Sequence, residues 1–224
     1  MIFITGDTHG KQDRFENPKW ESTASSEDYL IICGDFGYIF FNNEKEMNFL
    51  DYLEEKPYTI LFLDGNHENF PAIFAYPEEE WHGGTVHRIR KNILHLMRGQ
   101  IFEIEGKTFF TMGGAYSMDK HMRTEGFSWW PEEIPTDAEY KTATKNLMGH
   151  HMQVDYILTH TAPKEMILRM GFVLDGHDME LTGYLEWLLY EVNFKHWYSG
   201  HFHEDWTSTD GKYQCLYDKN VDLQ

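Results

Sequence analysis

Short apolar runs recur along the first third of the chain, and each run ends in small and polar residues. They lie at residues 2–5, 29–33 and 59–63. The run at 29–33 is apolar throughout, which is typical of a strand covered on both faces in an α/β sheet. A helical pattern fills the gap between the second and third runs. Strand, helix and strand at this spacing predict a parallel crossover unit.

Helical periodicity is clearest at residues 178–192, where apolar side chains recur three or four positions apart and form one stripe. Another helix is predicted between a cap at Asn42 or Asn43 and a proline about fourteen positions further on. A further helix is predicted at 136–148. Residues 11–28 carry only a weak helical pattern.

The second half of the chain predicts more strands and one long irregular segment. Residues 100–112 indicate a hairpin around a Glu-Gly turn, and strands are predicted at 156–158 and 213–217. Residues 113–135 are rich in Gly, Met and aromatic residues without a clear period, which indicates an inserted loop. We therefore expect an α/β fold in one domain that covers residues 1–224.

Composition excludes some classes of protein and favours others. With 19 basic and 37 acidic residues the formal net charge is −18, which disfavours a long nucleic acid as a partner. No apolar run approaches the roughly 18 residues of a membrane span. The amino terminus is a predicted strand and does not resemble a signal peptide. Two cysteines are too few for a disulfide framework, and we expect a cytoplasmic protein.

Acidic, amide and imidazole side chains collect at the ends of five predicted strands. These residues are Asp7, His9, Asp35, Asn66, His67, His160, His201 and His203. Ligands of open α/β sheets bind at the carboxyl ends of strands, so these side chains are expected to meet. Each motif alone is an ordinary turn or strand-end residue. Their number and their placement together indicate a binding site.

The residue types indicate a metal site. Carboxylate, imidazole and amide ligands suit Mn, Fe, Zn or Ni, and no thiolate of a structural zinc site is present among them. Asp7 and His9 are two positions apart, so in an extended chain both side chains would point the same way. His201 and His203 repeat this spacing. Each pair is therefore expected to reach one small volume.

The order of these motifs resembles the calcineurin-like metallophosphoesterases over residues 1 to about 205. The resemblance implies a four-layer αββα sandwich of two mixed sheets flanked by helices, with two divalent metal ions at the strand ends. It assigns Asp35 as the ligand that both metals share and His67 as a catalytic residue near the leaving group. The metal ligands it implies are Asp7, His9, Asp35 and His203 for one ion, and Asp35, Asn66, His160 and His201 for the other.

The activity that this resemblance implies is hydrolysis of a phosphate ester by metal-activated water. Two cations roughly 3.5–4 Å apart stabilise both the attacking and the leaving oxygen of an in-line displacement. Manganese is the first expectation, with Fe, Zn or Ni as alternatives. His67 would protonate the leaving oxygen or hold its developing charge.

One position departs from the family pattern. Many members carry a second acid three residues after the bridging aspartate, where it often supports the catalytic histidine, and this chain has Tyr38 there. Glu68 or Asp64 could take over that support, or His67 could act without a carboxylate partner. Tyr38 itself could simply pack in the core.

The substrate is less well defined by the sequence. Basic residues that phosphoprotein phosphatases carry after the Gly-Asp and Gly-Asn-His-Glu motifs are missing, which favours a small, nucleotide-like phosphodiester. The alternatives are a phosphomonoesterase or protein phosphatase, and a catalytically silent metal-binding homologue. In the 113–135 loop, Arg123 could pair with phosphate and Trp129 could stack on a base. Alternatively, the tryptophans close an apolar seam over the core. The sequence gives no prediction of the oligomeric state.

Overall fold

Thirteen strands form two mixed sheets in the computed structural model, which describes residues 1–16, 21 and 23–223. In chain order the strands are β1 (Ile2–Thr5), β2 (Tyr29–Ile32), β3 (Thr59–Phe62), β4 (Glu78–Trp81), β5 (Gly84–Arg90), β6 (Ile93–Leu96), β7 (Ile101–Ile104), β8 (Lys107–Met112), β9 (Tyr156–Thr159), β10 (His196–Ser199), β11 (Trp206–Thr207), β12 (Tyr213–Cys215) and β13 (Val221–Leu223).

The parallel strands occupy the centre of each sheet. The first sheet has the order β13-β1-β2-β3-β6-β5-β4, with β1, β2, β3 and β6 parallel. The second has the order β11-β12-β10-β9-β8-β7, with β12, β10, β9 and β8 parallel. Antiparallel strands lie at both edges. The carboxyl ends of β1, β2, β3, β9 and β10 carry the site.

In the described part of the chain, five α-helices with defined bounds cover the outer faces of the sheets. They are α1 (Glu44–Glu54), α2 (Phe70–Phe74), α3 (Asp137–Gly149), α4 (Lys164–Arg169) and α5 (Met179–Glu191). The cap of α1 is Asn43, whose side chain accepts from the amide of Glu46, and Thr136 forms a full capping box with Glu139 at the start of α3. Both caps satisfy amides that have no partner inside the helix.

Alternation along the strands divides the interior into three apolar layers. On β1, Ile2 and Ile4 face the second sheet, whereas Phe3 faces α1 and the segments around it. The outer face of the second sheet packs against α3, α4 and α5 through residues such as Leu147 and Leu185. Two sheets between two helical layers make the fold an αββα sandwich of the predicted type.

Most elements agree with the sequence, and the differences are instructive. The crossover from β2 to β3 is parallel, the 101–112 hairpin is present, and the 113–135 loop holds only two short 3₁₀ turns, Lys120–Met122 and Pro131–Glu133. The strand expected at 213–217 ends at Cys215 and is not the last, because β13 returns to pair with β1.

Other elements were missed or only partly found. No prediction was made for β4, β5 and β6, nor for the short helices α2 and α4. The weak helical pattern at 11–28 corresponds to a 3₁₀ turn at Gln12–Phe15, and the predicted segment at 17–20 and 22 lies outside the described residues. Both cysteines are free and buried, as expected. Within the described chain, no helix has the length and apolar character that crossing a bilayer requires.

Candidate metal centre

Four of the predicted ligands form one tight group at the ends of β1, β2 and β10. Asp7, His9, Asp35 and His203 each offer a donor atom, and these atoms lie within 4.8 Å of one another. The Nε2 atoms of His9 and His203 are 2.8 Å apart. Both carboxylates are almost fully buried. This group combines the donors that a divalent transition metal prefers.

A second group converges beside the first. Asn66 Oδ1 lies 3.2 Å from His160 Nε2 and 3.0 Å from His201 Nδ1. Because an amide oxygen only accepts, each of these ring nitrogens either donates to it or faces the same cation. The Nδ1 atom of His160 is bonded to the carbonyl of Cys33, which leaves Nε2 directed into the site. Such an outer partner fixes the orientation of a ligating ring.

Asp35 lies between the two groups. Its Oδ2 is 3.7 Å from His9 Nε2, and its Oδ1 is 3.4 Å from His160 Nε2. Oδ1 also accepts the backbone N–H of His67 at 2.8 Å. One carboxylate therefore presents a different oxygen to each group of donors.

The backbone at the site is left-handed and not extended. Asp7, His9 and Asp35 have φ of 49°, 47° and 53°, and His201 and His203 have φ of 71° and 52°. The expectation that each pair converges because the chain is extended is therefore wrong. Asp7 and His9 come together through a left-handed backbone, and His201 and His203 join different groups of donors. Positive φ is uncommon outside glycine and clusters at functional sites.

Glycines leave room for the two buried carboxylates. A Cβ on Gly65 would lie 2.1 Å from Asp35 Oδ1, and one on Gly200 would lie 2.4 Å from Asp7 Oδ2. Either methyl group would displace a carboxylate from its group of donors. The Gly-Asn-His-Glu and Gly-His-Phe-His motifs thus need their first residue for close approach, and not only for the turn.

Burial and mutual charge perturb the acidic groups in opposite directions. Burial is the main cause that raises the pKa of Asp7 to about 8, and Asp35 adds to it. Burial would also raise the pKa of Asp35, but the charge and hydrogen bond of His160 hold it below its usual range. Burial would lower the pKa of His160, but the charge and hydrogen bond of Asp35 raise it to about 10. At neutral pH the Asp7 carboxyl therefore keeps its proton, and the negative charge of Asp35 is balanced by the protonated His160.

Two of the histidines are neutral at ordinary pH. Burial lowers the pKa of His9 to about 4 and that of His201 to about 3, with neighbouring histidines contributing. A neutral imidazole has a lone pair free to coordinate. The donor set therefore fits a divalent metal.

His67 lies beside the candidate ligands but is not one of them, and its ring contacts Arg123. Its ring stands 5.3 Å from that of His9, centroid to centroid. Arg123 Nη2 lies 3.1 Å from His67 Nε2, and the guanidinium is also bonded to Asp119 and to the carbonyl of Ser128. Burial and Arg123 lower the pKa of His67, against the effect of Asp35.

Among the described residues, no carboxylate bonds to His67 in place of the acid that commonly supports such a histidine. Tyr38 is buried and stacks on Phe49 at 4.2 Å, so it packs in the core. Glu68 accepts the backbone N–H of Phe36, and Asp64 pairs with Arg98 and His95. Neither carboxylate bonds to His67, whose described side-chain partner is Arg123.

A buried chain of hydrogen bonds behind Asn66 was not found from the sequence. Asn66 Nδ2 donates to Ser117 Oγ at 3.1 Å, and Ser117 donates from Oγ and from its amide to Glu133. Glu133 is fully buried and also pairs with Lys120 at 2.6 Å. This chain fixes which end of the Asn66 amide faces the histidines. No sequence signal distinguishes Ser117 or Glu133 from other loop residues.

The two tryptophans of the loop have different surroundings. Trp130 is buried and packs edge-on against Phe40, as the apolar-seam alternative expects. Trp129 is half-buried, and the ammonium group of Lys120 lies 4.4 Å from its ring and 4.0 Å from that of Tyr116. The described contact of Trp129 is therefore with a cation of its own loop, and stacking on a substrate stays a prediction.

Two cavities adjoin the donor groups. A cleft of about 730 Å³ begins at His9 and runs between Tyr38, Phe41 and the residues of α1. A much smaller cavity, of about 30 Å³, is lined by His201 and Phe202. One cavity thus opens beside each group of donors.

The family is established by a comparison with family models. The model for calcineurin-like phosphoesterases matches residues 1–205, and the chain belongs to this family. The fold and the candidate metal ligands described above agree with that membership. A comparison with curated proteins finds no match.

Solved structures include two similar chains. One is a candidate 5'-nucleotidase from Staphylococcus aureus, crystallised with α-ketoglutarate, at 14% identity and a TM-score of 0.49. The alignment covers 96% of this chain and 48% of the nucleotidase chain, so this chain spans about half the length of that protein. The other is phosphopantetheinyl hydrolase from Mycobacterium tuberculosis, at 17% identity and a TM-score of 0.46, with 96% and 89% covered. These likenesses say nothing of the substrate of this chain.

Proposed function

We propose that this protein is a dinuclear metal-dependent phosphoester hydrolase that prefers a small phosphodiester. The observation that carries the proposal is the position of Asp35, whose two oxygens face two separate groups of donors. A carboxylate can contribute one oxygen to each of two cations, whereas an amide or an imidazole cannot. Family membership supports the reaction class.

The proposed ligands follow the two groups of donors. Asp7, His9, Asp35 and His203 would hold one ion; Asp35, Asn66, His160 and His201 would hold the other. Manganese suits these donors, and Fe, Zn or Ni are alternatives. When bound, the ions lower the pKa of a water molecule and neutralise charge on the phosphoryl group.

His67 and Arg123 are proposed to act on the substrate itself. His67 lies next to the donors, and its backbone N–H is fixed by Asp35, so its ring can hold or donate a proton at the leaving oxygen. We infer that Arg123 donates to a non-bridging phosphoryl oxygen, and the contact of its guanidinium with the His67 ring supports this role. Neither role requires a carboxylate behind His67.

Two features support a diester over a monoester. A diester carries less charge, and in this loop the second cation, Lys120, is neutralised by the buried Glu133. A diester also has two organic groups, and a cavity adjoins each group of donors. The two free, buried cysteines support a reducing, cytoplasmic setting.

Paired aryl substrates test this preference. With Mn²⁺ present, we expect bis(p-nitrophenyl) phosphate to be hydrolysed with a higher kcat/KM than p-nitrophenyl phosphate. Preference for the monoester would overturn the diester proposal and favour the phosphomonoesterase alternative. Absence of hydrolysis of both, with metal bound, would favour a catalytically silent homologue.

A further inference from the structure

The small cavity beside His201 has the dimensions of a subsite. Its volume of about 30 Å³ admits one small polar group or one or two water molecules. Its walls come from the 113–135 loop, from α4, α5 and the segment between them, and from the residues that follow β10. The apolar part of the lining consists of Met118, Ile167, Val173, Leu174 and Phe202, with Tyr116 beside them.

Asp178 brings an unsatisfied carboxylate to this apolar lining. Its exposure is 8%, and its Oδ1 has no hydrogen-bond partner among the described residues. Asp178 occupies the cap position of α5, but its side chain makes no capping bond. A buried carboxylate without a donor is costly, so in native structures such a group usually has a partner.

The charged neighbours of Asp178 are already engaged. Lys120 is paired with Glu133, and Asp175, which also lines the cavity, accepts from the ring and amide of His177. Burial, followed by the charges of Asp175 and Glu133, raises the pKa of Asp178 to about 7, against His160 and Lys120. A cationic donor in the cavity would therefore supply both a hydrogen bond and a compensating charge to Asp178.

We propose that this cavity binds the protonated amine of an aminoalkyl phosphate ester, with Asp178 as its counter-ion. The phosphoryl group of the same molecule would lie at the neighbouring donor groups, which His201 joins to the cavity. The apolar walls suit the methylene groups between amine and phosphate. This inference rests on the proposed function, since it names the organic group that the phosphoester carries.

Binding of non-hydrolysable phosphonates tests the subsite without turnover. The probes are ω-aminoalkylphosphonates with two, three and four carbons, each compared by calorimetry with the alkylphosphonate of equal length, with Mn²⁺ present. A hydrogen bond to a charged group predicts that the amine of the best length binds about tenfold or more tightly than its alkyl counterpart. Equal binding at every length would overturn the inference.

Matched variants assign the preference to one carboxylate. Asp178→Leu is expected to reduce the amine preference to about one, and Asp178→Asn, which keeps the shape, to reduce it partly. Asp210→Asn removes a carboxylate group from a turn outside this cavity and should keep the wild-type ratio. A preference that survives both Asp178 variants would show that the amine binds elsewhere.

Hydrolysis measured on the same preparations separates the two proposals. Amine-selective binding without hydrolysis of any aryl phosphate would overturn the proposed activity and leave the subsite standing. Hydrolysis of an aryl phosphate without amine-selective binding would support the proposed activity and overturn the subsite. If no phosphonate binds at all, both proposals fail, because the phosphoryl anchor is then missing.

Discussion

At the scale of single residues, contacts between distant parts of the chain hold the candidate ligands in their conformation. Asp7, Asp35 and His201 lie in Gly-Asp and Gly-His motifs that follow short apolar runs in the sequence. Their left-handed backbone depends on partners far along the chain: the amide of His201 donates to the carboxylate of Asp7, 194 positions away. A local pattern carries no information on such a contact, so the extended geometry was a wrong expectation.

Arg123 is the residue whose role the sequence left most open. Replacing it with Ala removes a charged donor from the phosphoryl position. We expect KM for an aryl phosphodiester to rise by roughly 10- to 100-fold with a smaller change in kcat. Arg123→Lys keeps the charge but loses the planar fork and should recover only part of the loss. Steady-state kinetics with unchanged KM in Arg123→Ala would exclude this role.

At the scale of elements, the strong patterns were predicted and the long-range contacts were not. The apolar stripe at 178–192 gave α5 within one residue at each end. The 113–135 loop was recognised as irregular, yet its attachment through Ser117 and Glu133 to Asn66 was not. Those bonds join residues 16 and 51 positions apart. Only the folded sheets bring these residues together.

Removing the hydroxyl of Ser117 tests whether this loop positions Asn66. In Ser117→Ala the Nδ2 atom of Asn66 loses the hydroxyl oxygen that accepts its hydrogen bond, so the amide can rotate. We expect metal affinity, measured by calorimetry with Mn²⁺, to fall about 10- to 100-fold, as is typical of a lost outer partner. Ser128→Ala, which removes a hydroxyl from the same loop, is the control. Equal metal affinity in all three proteins would argue against positioning.

The hairpin strands β5 and β6 carry a buried histidine pair that the sequence did not reveal. His87 Nδ1 lies 3.0 Å from His95 Nδ1, and His95 bonds to Asp64. Glu78 lies 3.9 Å from His87 Nε2. Burial, with a contribution from His95 and against Asp64, lowers the pKa of His87 to about 4. The unfolded chain therefore binds a proton at this position more readily than the folded one.

Stability should depend on pH through this group. Below pH 6.5 His87 binds a proton in the unfolded state, whereas in the folded state it stays neutral down to about pH 4. The free energy of unfolding should therefore fall as pH drops through this window, by at most about 3 kcal/mol from His87. Urea denaturation at pH 7 and 4.5 measures it. His87→Gln should reduce the difference by the contribution of His87, and His82→Gln should leave it unchanged. Identical profiles in all three proteins would contradict the assignment.

At the scale of the whole molecule, the layer architecture was predicted because alternation of strand and helix is a global pattern. The resemblance extended this to the two-sheet sandwich, which the three apolar layers confirm. The first sheet's extra strands escaped prediction because β4 is acidic and polar, and β13 is only three residues long. Tertiary pairing, and not local preference, makes them strands.

Bound cations should stabilise the whole fold. They would pair with the buried carboxylates of Asp7 and Asp35 and displace the proton that Asp7 holds at neutral pH. Ligand at 100 times its Kd adds about 2.7 kcal/mol to the free energy of unfolding, which corresponds to roughly 5–10 °C for a chain of this size. Thermal denaturation in Mn²⁺ and in EDTA measures this shift. Asp210→Asn, in a distant turn, should show the same shift, and a Tm insensitive to EDTA would contradict metal binding.

The central claim is that Asp35 serves two metal ions at once. Metal content by mass spectrometry, together with hydrolysis of bis(p-nitrophenyl) phosphate, tests it in the wild type, in Asp35→Asn and in Asp155→Asn as a control. We predict two equivalents per chain in the wild type and in Asp155→Asn. In Asp35→Asn we predict less than one equivalent and a loss of turnover of more than about 100-fold, since loss of a ligand exceeds loss of an outer partner. Two equivalents with unchanged turnover in Asp35→Asn would contradict the account.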